Sequence, residues 1–289
     1  MSDLKRKKLL FIHGRGVQPD RNTLVAWWRR CVLNGMARQG QIEPRVLENL
    51  PTDLFYYADR TQVFYPDQTF NYGAHEETVD GLVARKKSKD FRRRFYEETP
   101  GKSALGEFAF DVAASVGLGR IALSRAIPEL ARYWDDQSWA EELRAKLVTW
   151  LEQHGQQGDD LCVVSHCIGS ILAFDCFCSS QVRVDKWITV GSPLGNEAVK
   201  GRLLGGVGGL KTVGTWINLS AEDDFVCHDK SVEDDYKQLM ETEQVNQISD
   251  HLIYNLAVHE EQSMPSHWAG YLNHPRLANE LAEWLNAPN

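Results

Sequence analysis

The segment from Leu161 to Asp175, L-C-V-V-S-H-C-I-G-S-I-L-A-F-D, constrains this chain more than any other. Its apolar, β-branched start (Cys162, Val163, Val164) predicts a buried strand, and an apolar helix start follows at once. A strand that turns directly into a helix passes very close to neighbouring backbone. Only Gly, Ala or Ser fit beside such a turn, which accounts for Ser165 and Gly169 as elbow-packing residues. The residue between them, Cys167, is then held in a strained conformation of the kind stored at functional sites. The pattern is that of G-x-S-x-G, with Ser for the first Gly and Cys for the central Ser.

A side chain at that place stands at a helix N-terminus, where free N–H groups and the helix dipole favour negative charge. For Cys167 this predicts a lowered pKa and a nucleophilic thiolate. The competing reading is an inert buried thiol, since free Cys is among the most buried residue types.

At 289 residues the chain can bury a large core, and one α/β domain with an insertion is expected. A net charge of -8 argues against nucleic-acid binding, because phosphate is repelled by the overall field. The six cysteines show no framework-like spacing and no C-x-x-C pair, so they read as reduced thiols in a cytoplasmic protein. The basic N-terminus leads into an apolar run of only Leu9 to Ile12, too short for a signal peptide, and no apolar run is long enough to span a bilayer.

Strand signals fall at Leu9 to Ile12, Asp53 to Ala58, Leu161 to Val164, Lys186 to Val190, Thr212 to Leu219 and Leu252 to Val258. Helical periodicity falls at Asn22 to Arg38, Trp139 to His154, Ile168 to Cys178 and His274 to Leu285. Strands alternating with helices predict a mostly parallel sheet of about six strands with helices on both faces. Residues 59–137 break the rhythm and predict a predominantly helical cap inserted into a core of 1–58 and 138–289. Within it, Arg85 to Arg94 is strongly basic and reads as a solvated helix face, with contact to a membrane surface or an anionic substrate as the alternative. Leu105 to Leu130 is apolar enough to roof an acyl pocket or to pack on the sheet.

Candidate reactive groups fall at strand ends, where ligands bind in such sheets. Cys167 follows one strand, Asp224 follows the Thr212 strand in S-A-E-D-D-F-V, and His267 follows the last strand. Nucleophile, acid, histidine is the chain order of a hydrolase triad. The chain resembles the α/β-hydrolase superfamily, in its bacterial lipase/esterase-like branch. The matching pieces are F-I-H-G-R-G (Phe11 to Gly16), V-S-H-C-I-G-S (Val164 to Ser170), G-S-P-L-G (Gly191 to Gly195), W-I-N-L-S-A-E-D-D-F-V (Trp216 to Val226) and H-W-A-G-Y-L (His267 to Leu272). The departure is Cys167, where relatives usually carry Ser; dienelactone hydrolases and polyhydroxyalkanoate synthases also place Cys there.

The resemblance implies Cys167 as nucleophile, His267 as base and Asp224 as the acid that orients it. It also implies an oxyanion hole made by the N–H groups of Ile168 and Arg15. The substrate is then a small-molecule acyl ester or thioester, with no cofactor and no metal. Rivals for the histidine are His259, His274 (a cap for the last helix) and His251, while His13 and His166 read as packing beside the turns. Asp223 rivals Asp224, and Asp175 reads as structural. Cys227, His228 and Asp229 lack a second group at zinc spacing. Gly14-x-Gly16 is not a dinucleotide fingerprint, because Pro19 holds the third glycine position and Asp20 would repel a pyrophosphate. The alternatives to a hydrolase are an acyltransferase using the same intermediate and a silent binding protein on the same fold; whether Cys167 is native or replaces Ser stays open.

Overall fold

Successive side chains of a strand point to opposite faces, and the first strand shows how this layers the molecule. Leu10 and Ile12 join one buried cluster, while Leu9 and Phe11 join a second on the other side of the sheet. The computed structural model describes residues 7–40, 49–66, 70, 72, 127–156, 159–221, 224, 226, 227, 230–253, 255 and 267–287.

Six strands form one sheet: β1 (Lys7–Ile12), β2 (Thr52–Phe55), β3 (Asp160–His166), β4 (Val184–Val190), β5 (Val213–Ala221) and β6 (Gln247–Ile253). Their order is β2-β1-β3-β4-β5-β6, and all five pairings are parallel. Parallel neighbours need crossover connections, and helices supply them. On one face lie α1 (Arg21–Gln39) and two later helices, α8 (His267–Leu272) and α9 (Pro275–Asn286). The other face carries α3 (Pro128–Asp135), α4 (Gln137–His154) and α5 (Ile168–Ser179). Short helices α2 (Ala58–Thr61), α6 (Glu197–Lys200) and α7 (Lys237–Glu241) and a 3-10 turn at Gln62–Phe64 complete the described set.

Helix ends follow local chemistry. Asp20 caps α1 by accepting from the Thr23 N–H, and Asp136 caps α4 by accepting from the Trp139 N–H. His274 caps α9, with Pro275 at the first helical position, where its missing N–H costs nothing. Helix α5 is buried on every side from Ile168 to Phe177, which explains a sequence there that is apolar or small apart from Ser170 and Asp175.

Several sequence expectations are corrected. The last strand starts at Gln247 rather than Leu252, because an edge strand uses polar residues such as Asp250 for loop hydrogen bonds. The second strand ends at Phe55, and Ala58 opens a helical turn instead. Beyond the last strand, position 267 opens a helix. The basic run Arg85 to Arg94 and the stretch from Leu105 to Ala126 lie outside the described residues. Just beyond them, Ile127, Leu130 and Tyr133 pack into the core beside α4 and α5. Among the described residues no helix is long and apolar enough to cross a membrane.

Candidate active site

The chain leaves β1 toward β2 on one side, and β3 takes the place on β1's other side. That reversal makes the carboxyl ends of β1 and β3 a topological switch point, the place where open parallel sheets bind ligands. Both candidate oxyanion donors and the candidate nucleophile lie there.

Cys167 has φ 53° and ψ -128°, one of two non-glycine residues with positive φ among the described residues. It is the N-cap of α5, and its own N–H donates to the Val190 carbonyl at 3.2 Å. Glycines let the surrounding chain close in. A methyl group at Gly14 would lie 2.5 Å from His166 Nδ1 and 2.8 Å from Cys167 Cβ. At Gly169 it would lie 2.4 Å from the His13 carbonyl oxygen. Ser165 is fully buried, and its hydroxyl accepts from Trp187 Nε1 at 2.9 Å and pairs with Ser170 Oγ at 3.2 Å.

The Cys167 side chain is 3% exposed. Burial pushes its thiol up to about 11, against the lowering expected from the helix N-terminus alone. The Arg15 guanidinium pulls the other way, Asp224 adds to the rise, and the Ile168 and Arg15 N–H groups both favour the thiolate. Desolvation therefore outweighs the dipole, and Cys167 rests as a neutral thiol. The two main-chain donors that face its sulfur are the two implied by the sequence resemblance.

Asp224 is buried at the end of β5. Its Oδ2 accepts from the Tyr271 hydroxyl at 2.8 Å and its Oδ1 from the Val226 N–H at 2.9 Å. Tyr271 Oη also accepts from the Ala221 N–H at 3.0 Å. Beneath them Gly191 has φ +57°, and a Cβ there would lie 3.0 Å from both Asp224 Oδ2 and Tyr271 Cε2. His166 packs between Gly14 and Gly191, with its ring edge-on to Trp28.

Residue 267 begins α8, one helical turn before Tyr271; the side chain of His267, like Asp223 and His259, lies outside what is described. Three other histidines have settled places. Burial lowers His13 to about 4; its Nδ1 donates to the Gly14 carbonyl at 2.7 Å and its Nε2 accepts from the Tyr57 N–H at 3.0 Å. His274 Nδ1 accepts from the Arg276 N–H at 3.0 Å, and His251 lies on β6 beside Arg276 and Glu280. Asp175 accepts from Tyr133 at 2.7 Å and from the Leu204 N–H at 2.7 Å, inside the core.

Two residues near the nucleophile carry no sequence signal. Glu129 and Tyr65 meet through a 2.7 Å hydrogen bond, and Glu129 also accepts from the Gly16 N–H at 2.9 Å. Tyr271 was legible only as part of H-W-A-G-Y-L, where its spacing of four from His267 places both on one helix.

A six-stranded parallel sheet in this order, with a strained strand-to-helix turn at its switch point, defines the α/β-hydrolase type of fold. No protein-family model matches the chain, and no curated protein sequence matches it. Among solved structures it is similar to a protein described as a cell-surface hydrolase from Lactobacillus plantarum WCFS1. That likeness has 12% identity and a TM-score of 0.36, over 54% of this chain and 66% of that one, just under two-thirds of its length. The fold assignment rests on the sheet and turn of this chain.

Proposed function

We propose that the protein hydrolyses carboxylic esters or thioesters of small molecules through an acyl-Cys167 intermediate, with His267 as base and Asp224 orienting it. The observation that carries this reading is the Cys167 turn, strained at φ 53° with two main-chain N–H groups facing its sulfur. A thiol near 11 stays protonated at neutral pH, so its proton leaves as attack occurs. The His267 imidazole takes that proton while sulfur bonds to the carbonyl carbon. The carbonyl π pair moves onto oxygen, which accepts from the Ile168 and Arg15 N–H groups. Collapse expels the alcohol or thiol, protonated by the imidazolium. Water then gives a proton to His267 and attacks the thioester, releasing the acid and the thiol. No cofactor or metal enters this chemistry.

Cysteine at the nucleophile position supports a second reading, transfer of the acyl group to an alcohol or amine, because a thioester is activated toward such acceptors. The near-complete burial of Cys167 supports a third, a silent binding protein. p-Nitrophenyl ester kinetics separate them. Hydrolysis predicts a burst of one p-nitrophenol per chain and steady turnover, both lost in Cys167→Ala. Acceptor-dependent acceleration of the steady phase supports the transferase. No burst and no turnover across short and long acyl chains would leave only the binding protein. Cys167→Ser reports on origin, since a large gain in rate would mark Ser as the original nucleophile.

A further inference from the structure

The turn after β1 is tied down peptide by peptide. In the peptide joining residues 14 and 15, the Gly14 carbonyl accepts from His13 Nδ1, and the Arg15 N–H faces the Cys167 sulfur. In the peptide joining residues 15 and 16, the Arg15 carbonyl accepts from Gln18 Nε2 at 2.9 Å. Its N–H donates to Glu129 Oε1, brought from 113 residues away. Gly16 has φ +92° and open space where a Cβ would stand, so this stretch has a glycine's rotational freedom unless its N–H is held.

Glu129 is fully buried, which is costly for a carboxylate unless its oxygens are well bonded. Gly16 satisfies one oxygen and Tyr65 the other. Burial and the neighbouring carboxylate raise the Tyr65 pKa, so the phenol keeps its proton and donates. A buried carboxylate bonded to a main-chain N–H is one of the stronger hydrogen-bonding arrangements available.

We propose that Glu129 is a positioning residue for the oxyanion hole: it pins the Gly16 N–H so that the preceding peptide presents the Arg15 N–H to Cys167 and to the oxygen of a bound carbonyl. The inference rests on the acyl-enzyme reading above. It assigns Glu129 a role chiefly in the developing oxyanion, since the Arg15 N–H is the smallest of the named influences on the sulfur's own ionisation.

Two reactions at the same sulfur separate these. Acylation by p-nitrophenyl acetate passes through an oxyanion, whereas alkylation by iodoacetamide displaces iodide without one. Both rates are measured on the full chain at one pH, with alkylation of Cys167 followed by peptide mapping. Glu129→Ala is expected to slow acylation at least about tenfold while alkylation stays within about twofold, a loss below that of deleting a donor outright. Glu129→Gln should recover most of it, since its amide oxygen can take the Gly16 N–H and its amide N–H can face the Tyr65 oxygen. Tyr65→Phe should slow acylation by about threefold and decides the matter if Glu129→Ala does not fold. Acylation unchanged in these variants overturns the proposal, as does a parallel fall in both reactions, which would mean that Glu129 supports the elbow as a whole. A wild-type chain that never acylates overturns the acyl-enzyme reading as well; a wild type that acylates beside unaffected variants overturns the role of Glu129 alone.

Discussion

At Cys167 the groups facing the sulfur are main-chain N–H donors, and the space around them depends on Gly14, beside His166 and Cys167, and on Gly169, beside the His13 and Ile12 carbonyls. At Asp224 one carboxylate oxygen is held by a main-chain N–H, but the other is held by the Tyr271 phenol on a separate helix. The candidate nucleophile corner is thus built largely from main chain, the β3–α5 elbow closing against the turn after β1. The acid corner is assembled from side chains 47 residues apart. Backbone geometry fails steeply when sterically disturbed, because carbonyl oxygens in a sheet cannot move aside. Side-chain geometry fails in steps, one hydrogen bond at a time.

The largest expected effect breaks the acid corner outright. On the proposed triad, Asp224→Asn keeps the shape but misdirects the imidazole, and kcat should fall on the order of 10³- to 10⁴-fold, with a stability loss of about 1 kcal/mol from the Tyr271 hydroxyl that loses its acceptor. Next, Gly169→Ala challenges the nucleophile corner. Its methyl group would stand 2.4 Å from the His13 carbonyl and 2.9 Å from the Ile12 carbonyl, both backbone atoms. A stability loss of about 1–3 kcal/mol in urea titration is expected, together with loss of acylation. Retention of both would show that the turn has slack. Tyr271→Phe leaves the acid in place but removes one donor to it and one acceptor for the Ala221 N–H. Stability should fall by about 1–2 kcal/mol, and kcat should drop far less than in Asp224→Asn.

Acid titration probes the two regions less selectively, because several imidazoles contribute at once. Burial lowers His13, beside the nucleophile, and His274, at the start of α9, from 6.5 to about 4. Between those values the unfolded chain binds protons that the folded chain does not. The stability these histidines contribute is therefore complete above about pH 6.5 and is lost as pH falls through the folded-state value near 4. Urea midpoints should decline over that window, and His274→Asn, which keeps a capping side chain, should flatten the decline. An unchanged slope would mean that His274 titrates alike folded and unfolded.

The same contrast decides what could be read from the sequence. Strands β3 and β4 are wholly or almost wholly buried, so their apolar runs announced them. The elbow was legible because steric need leaves only small residues at Ser165 and Gly169. Strand β6 begins before its apolar signal because an edge strand with Ser249, Asp250 and His251 half-buried has no clean apolar run. Glu129 was invisible, since its partners Gly16 and Tyr65 lie 113 and 64 residues away. The Cys167 shift runs opposite to the local expectation for a physical reason: the helix N-terminus is a local feature that sequence displays, whereas burial is a property of the assembled fold.

The central claim is that one sulfur, at residue 167, carries the acyl group. Intact-mass measurement after incubation with a panel of short and long acyl thioesters, followed by peptide mapping, tests it directly. The expected result is a single acyl addition on Cys167 that is absent from Cys167→Ala. No addition from any thioester, or an addition confined to another thiol such as the half-buried Cys178, would contradict it.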